Sequence, residues 1–390
     1  NPTLTWFFIN ILQKYYYLLF INVEAPENLK VFLSAFSYGK LTFLPDATSS
    51  LIDGLNTQKK PSPKRFSENN IDGLFLINIG NILSLWLAAL LGYLLIKLGK
   101  FFNRKFPKKI TSFLRQTEQN FEWSIILRIW ITTFMELAIS SFLQLRSMDI
   151  HSFWQFISVI LGVLGTTLSF AFPILVYYIT RALPVSGFYR GRSYNSLIEG
   201  LKTIPEKCWN YTSIALLRRL LTCFVLVFLH DFPYIELFFL LLIDLVHLIF
   251  LLKNRPYEDS SEQLALAIDE ALYFCIYILM AILHVMNRGH FRRDSKIMAG
   301  WAIIGCCMTG LVVTFLFSLI QQYQAILKIK KYIQEWCSGK RTDTRRWIKR
   351  RKNAERAFRA PRVRKVRIEQ AILEDASSTS IKVHKILVNS

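Results

Sequence analysis

The stretch SFWQFISVILGVLGTTLSFAFPILVYYIT, residues 152–180, decides what kind of molecule this is. It carries no charge over its whole length. About 20 apolar residues, rising 1.5 Å each, cross the ~30 Å hydrocarbon core of a bilayer. This segment is long enough to do so. Gly162, Gly165 and Pro173 inside it predict close helix packing and a kink. Similar runs flank it at residues 74–96, 123–145, 211–229, 234–252, 264–286 and 297–327. The predicted fold is an all-α polytopic transmembrane helix bundle with seven spans, or eight if the aromatic run at residues 6–23 also crosses. That run has Lys14 at its middle and reads as a partial or interfacial segment. The last run exceeds a perpendicular crossing and predicts tilt or extension beyond the membrane.

Composition agrees. Charged residues are 19% of the chain and apolar residues 52%, whereas a soluble domain is about 25% charged. The organisation that follows has three parts: an N-terminal aromatic segment and polar loop (1–70), the helix bundle (71–327) and a basic tail (328–390). The net charge of +21 would suit nucleic acid, but its placement argues against that partner. Nineteen of the 48 Lys and Arg follow residue 325, and most others lie between apolar runs. Basic residues so placed set orientation and touch lipid. With the C-terminus cytosolic, the inner segments hold 35 Lys and Arg against 12 outside. Residues 287–296 are the discordant loop, since Arg288, Arg292, Arg293 and Lys296 fall on the outer side.

No enzyme signature is present: no Walker loop, dinucleotide fingerprint, GxSxG or HExxH. Six cysteines lack CxxC spacing, and the histidines are scattered. Neither a metal nor a cofactor is implied, and the chain reads as a non-enzyme.

The informative residues are charges inside apolar runs, each costing about 2.5–3.5 kcal/mol at a helix centre. Asp244 and His247 are three apart and share a helix face, with Glu236 two turns earlier. Such a row suits a cation pathway. Equally, Asp244 suits a pairing with Arg218 or Arg219, which lie at similar depth on the preceding helix. Arg128 and Glu136 form a second stripe, either lining a cavity or bonding to other helices. Asp269 and Glu270 either mark the start of the sixth helix or stand at a pore mouth, where a homo-oligomer would turn them into an acidic ring.

The tail interleaves apolar and basic residues. Lys328, Lys330 and Lys331 lie among Ile326, Ile329, Ile333 and Trp336, and Arg345, Arg346, Lys349, Arg350 and Arg351 follow around Trp347 and Ile348. A basic amphipathic segment beside a membrane is a candidate for anionic lipid and for calmodulin.

Three features carry a family resemblance: Leu217-Arg218-Arg219, the corner Lys253-Asn254-Arg255-Pro256-Tyr257, and the acidic pair Asp269-Glu270. This layout is similar to the membrane domain of transient receptor potential-like proteins, which occur in fungi, and the opening Trp6, Ile9-Asn10, Leu12-Gln13 with later Pro26 resembles the ciliate versions. Related domains end very large ciliate surface proteins. In the ciliate proteins a long extracellular region precedes the domain, which suits a chain opening on Asn1 rather than Met. The resemblance implies a channel-like or transport role at the plasma membrane. The competing expectation is the membrane anchor of a large surface receptor or adhesion protein.

A peptide of residues 325–355 is expected to sediment with anionic vesicles at low salt and to be released at high salt. No sedimentation at low salt removes the lipid role.

Overall fold

The computed structural model describes residues 10–40, 46–48, 60–101, 126–182, 197, 200–202, 208, 210–289 and 291–337. Seven long helices dominate: α1 (Gly80–Phe101), α2 (Ile126–Arg146), α3 (Phe153–Ala182), α4 (Tyr211–Phe228), α5 (Pro233–Asn254), α6 (Ser260–Arg288) and α7 (Arg293–Cys337). All seven are long and apolar enough to cross a membrane. The chain is therefore an integral membrane protein built as an all-α bundle. Among the described residues there is no strand, only an isolated bridge between Leu201 and Tyr257.

Helix ends depart from the apolar runs where local chemistry overrides hydropathy. The first span begins at Gly80 rather than near residue 74. Leu74, Phe75 and Leu76 are buried in a separate short element. Their backbone is satisfied by side chains: Phe75 N–H donates to Gln144 Oε1 (3.0 Å) and Leu76 N–H to Ser158 Oγ (3.2 Å). The first N–H groups of a helix have no partner within it, and away from water they need such internal ones. The sixth helix starts before its apolar run because Asp259 caps it, accepting from Ser261 N–H at 3.0 Å. The fifth stops where Arg255 takes a left-handed φ of 43° and Pro256 follows. Hence the corner 253–257 is a helix-stop device, with Tyr257 packed edge-on against Tyr211.

Two compact units divide the chain, Asn1–Leu319 and Ile320–Ser390. The described residues of the second unit, 320–337, are helical. Within the first, α2 is the central helix: 67% of its span is buried, against 6% for α1. α1 presents Leu90, Leu91, Leu94 and Leu95 outward. α2 packs on α3 and α4, α4 also meets α3 and α5, and α5 pairs with α6. Gly162 and Gly165 allow α3 to approach α2. A Cβ on Gly165 would stand 2.4 Å from Ser141 Oγ, and one on Gly162 would stand 2.7 Å from Gln144 Cγ.

Among its described residues, the N-terminal segment is not a continuous span. Residues 10–16 are helical, Tyr17–Phe20 form a 3-10 turn, a bend follows at 21–23, and Glu27–Ser34 is a second short helix. Tyr15, Leu18, Phe20 and Ile21 are among the most buried side chains of the core. The segment bonds to several parts of the bundle. Gln13 Nε2 donates to the Thr132 carbonyl of α2 (3.0 Å), and Asn22 Nδ2 donates to the His230 carbonyl in the α4–α5 turn (2.7 Å). Asn28 Nδ2 reaches Ile297 O of α7 (3.2 Å). At the same turn, burial and the nearby Arg146 push the His230 imidazole down to about 4, so it stays neutral near pH 7.

Gly165→Val is expected to lower stability by about 1–3 kcal/mol through overpacking of α2 on α3. Gly305→Val, where an added Cβ meets nothing within 4 Å, is expected to be near neutral. Thermal midpoints of the two proteins in lipid nanodiscs check this; equal midpoints contradict it.

Candidate functional site

Five charged side chains meet inside the bundle. Lys14 comes from the N-terminal segment, Arg218 from α4, Asp244 from α5, and Asp269 with Glu270 from α6. Arg218 Nη1 donates to Asp244 Oδ1 at 2.8 Å and to Glu270 Oε2 at 2.7 Å. Lys14 Nζ lies 3.0 Å from Asp269 Oδ2 and 3.2 Å from Glu270 Oε2. Glu270 is thus the shared anion, held by both cations. The three carboxylates are 3% exposed or less. Aromatic groups close the site. Lys14 Nζ sits 4.1 Å above the Tyr273 ring, Tyr273 Oη donates to the Lys14 carbonyl (3.0 Å), and Tyr15 Oη donates to Asp269 Oδ1 (3.2 Å). Tyr15 reaches Asp269 past Gly310 of α7, where any Cβ would come 2.2 Å from its hydroxyl.

Consecutive arginines on α4 serve different interfaces, because one residue turns the helix by about 100°. Arg218 faces the carboxylates. Arg219 donates to the Ile131 carbonyl of α2 (3.2 Å) and to Asn10 Oδ1 (3.4 Å). A cavity of about 250 Å³ lies beside the network at the end of the bundle where α4 and α6 begin. Lys14, Arg218, Asp269 and Glu270 line it, together with Arg128, Arg219 and Glu262.

The residues singled out by spacing fall as follows. Asp244 pairs with Arg218, the partner that helix depth predicts. His247 is buried on the same face, its Nδ1 3.8 Å from Glu270 Oε2. Glu236, fully buried, joins neither: it accepts the Asn22 N–H (3.2 Å) near the α4–α5 turn. The α5 stripe therefore faces the interior but serves separate partners. Arg128 lines the 250 Å³ cavity, whereas Glu136 lines a small void of about 10 Å³ beside Tyr16 and Tyr17, so the α2 stripe is divided between two places. Asp269 and Glu270 do not mark the start of α6; they stand well inside it. Lys328, Lys330 and Lys331 fall on α7, with Lys330 exposed. Arg345, Arg346, Lys349, Arg350 and Arg351 lie outside the described residues. Among the described residues no cluster of His, Cys, Asp and Glu could hold a metal ion.

In the sequence Arg218 stands out as a partner for Asp244 and as part of the family resemblance, whereas Lys14 has no assigned role. The signal for Lys14 was a lone ammonium in an apolar run, which must find an anion. Its partner lies 255 residues away, which spacing does not reveal.

Comparison of the chain with family models, curated proteins and solved structures finds no match.

Arg218→Gln leaves Asp244 without its cation and Glu270 with one of two. The expected loss is about 3–5 kcal/mol of stability. Adding Asp244→Asn to that variant should restore part of the loss, which a double-mutant cycle of unfolding midpoints measures. Strict additivity rejects the pairing.

Proposed function

We propose that this membrane protein is a channel-like or transporter-like subunit that moves cations, with Asp244, Asp269 and Glu270 as its pathway carboxylates. The observation that carries the reading is the meeting of acidic groups with a cavity, along a wall to which the short N-terminal helix gives Asn10, Ile11 and Lys14. That helix gives way to a 3-10 turn at Tyr17, and broken helices of this kind build the ion sites of many transporters. Among the five directly bonded groups, three carboxylates face two cations. Fully ionised, that set of five is net negative, and Arg128, Arg219 and Glu262 complete the charges on the cavity wall. Lys14 acts as a tethered counter-ion on the short helical segment, and a transported cation would take its place beside Asp269 and Glu270.

The likeness of Leu217-Arg218-Arg219, residues 253–257 and Asp269-Glu270 to transient receptor potential-like membrane domains supports the same reading. Charge asymmetry supports a cytosolic C-terminus with the basic tail on anionic lipid or calmodulin, and the resemblance supports the plasma membrane.

One observation favours a second reading, the membrane anchor of a surface receptor. Each of the three carboxylates already has a cation within 3.0 Å, as a purely structural network requires. Flux separates the two. In vesicles reconstituted with the full chain, cation flux is expected, and Asp269→Asn and Asp244→Asn should each lower it at least about tenfold, equivalent to about 1.4 kcal/mol at the site, while the protein stays folded. No flux from the unaltered protein, or flux that neither change affects, leaves the anchor.

A further inference from the structure

The α4–α5 turn lies at the end of the bundle away from the starts of α4 and α6. Its His230 is a contact that separate segments share. Phe66, from the short helix Lys64–Glu68, meets the imidazole edge-on at 5.7 Å, and the same ring stacks on Phe20 of the N-terminal segment at 4.8 Å. Two residues on, Asn22 donates its side-chain amide to the His230 carbonyl (2.7 Å) and its N–H to Glu236 Oε2 (3.2 Å). The ring of His230 is buried, and neither nitrogen has a hydrogen-bond partner among the described residues. Packing alone holds it. The surrounding charges disfavour a second ring proton. Arg146 at the end of α2 and Arg65 on the short helix both stand near it. Each has its own carboxylate: Arg146 Nη2 lies 2.6 Å from Asp231 Oδ2, and Arg65 Nη1 lies 2.9 Å from Glu68 Oε2. Asp231 and the Phe20 carbonyl are the nearby groups that oppose them, and neither bonds to the ring. Glu236, on α5, accepts from Asn22 instead.

We propose that His230 is an acid-sensitive latch: when its ring takes up a proton, the N-terminal bend and the helix Lys64–Glu68 come away from the α4–α5 turn. An imidazolium in that pocket is desolvated, has no acceptor in bonding geometry and faces two guanidinium groups. Reaching water relieves it, and the ring cannot move without giving up its contact with Phe66. The docked ring titrates near 4 and a released one near 6.5. The docked state is therefore fully held above about pH 6.5 and loses ground as pH falls towards 4. The same two elements wall a cavity of about 330 Å³, Leu18 and Val23 from one and Arg65 and Glu68 from the other, so release opens that cavity. The latch does not depend on transport, and it stands equally under the anchor reading.

The test is hydrogen–deuterium exchange of the full chain in lipid nanodiscs at pH 7 and about pH 5, at times scaled for the intrinsic exchange rate. On acidification, amides of residues 17–23 and 64–71 are expected to lose protection at least about tenfold, while α3 keeps its own. His230→Phe keeps an aromatic ring against Phe66 and removes the titration. It gives up no side-chain hydrogen bond, so its thermal midpoint at pH 7 should not fall. In that variant the two segments should be equally protected at both pH values. His230→Gln, also without charge, repeats the comparison where the phenylalanine does not fit. Three results overturn the proposal: equal protection of the two segments at both pH values in the unaltered protein, a matching loss in α3, or an undiminished loss in the uncharged variants.

Discussion

Glu270, gripped between Arg218 and Lys14, is the point on which the arrangement of the bundle depends. A charge at the centre of a membrane helix costs about 2.5–3.5 kcal/mol, so five unpaired ones would cost about 12–18 kcal/mol. That is as large as the whole stability of a typical domain, about 5–15 kcal/mol. Pairing is therefore compulsory, and it sets geometry. Arg218, Asp244 and Glu270 must reach a common depth, which fixes how far α4, α5 and α6 slide past one another. Lys14 must reach the same point, which draws an otherwise short apolar segment into the interior.

The consequence is a bundle organised around a piece that does not span it. The N-terminal segment bonds to α2 through Gln13, to α6 through Lys14, to α7 through Asn28 and to the α4–α5 turn through Asn22. A continuous helix in that position would fill the centre from end to end. A helix that breaks into a turn and a bend leaves space at both ends instead. The 250 Å³ cavity adjoins Lys14, and the 330 Å³ cavity adjoins Leu18 and Val23, only a few residues further along the chain.

Some of this was legible beforehand. All seven spans followed from run length, and similar depth made a pairing of Asp244 with Arg218 or Arg219 one of two open readings, of which the structure shows the pair with Arg218. The less regular features were not legible. Residues 74–79 look like span and are a buried plug, because hydropathy does not distinguish burial in protein from exposure to lipid. Asp269 and Glu270 look like a helix start, yet Asp259 performs that role with a local cap. The corner 253–257 looks like a family mark, and its visible work is to end α5 with a left-handed residue and a proline.

By itself the sequence determined that the chain is a polytopic membrane protein and which segments cross. Spanning depends on apolarity summed along consecutive residues, and that sum is a local property. Only the tertiary structure decided which charges meet. Lys14 and Asp269 are 255 residues apart, and their contact depends on helix rotation, relative depth and the break after residue 20. Those are properties of packing between segments, and no spacing within one segment encodes them. The same holds for Arg65, whose sequence setting is an ordinary polar loop and whose buried Nε–H exists only because distant residues close around it.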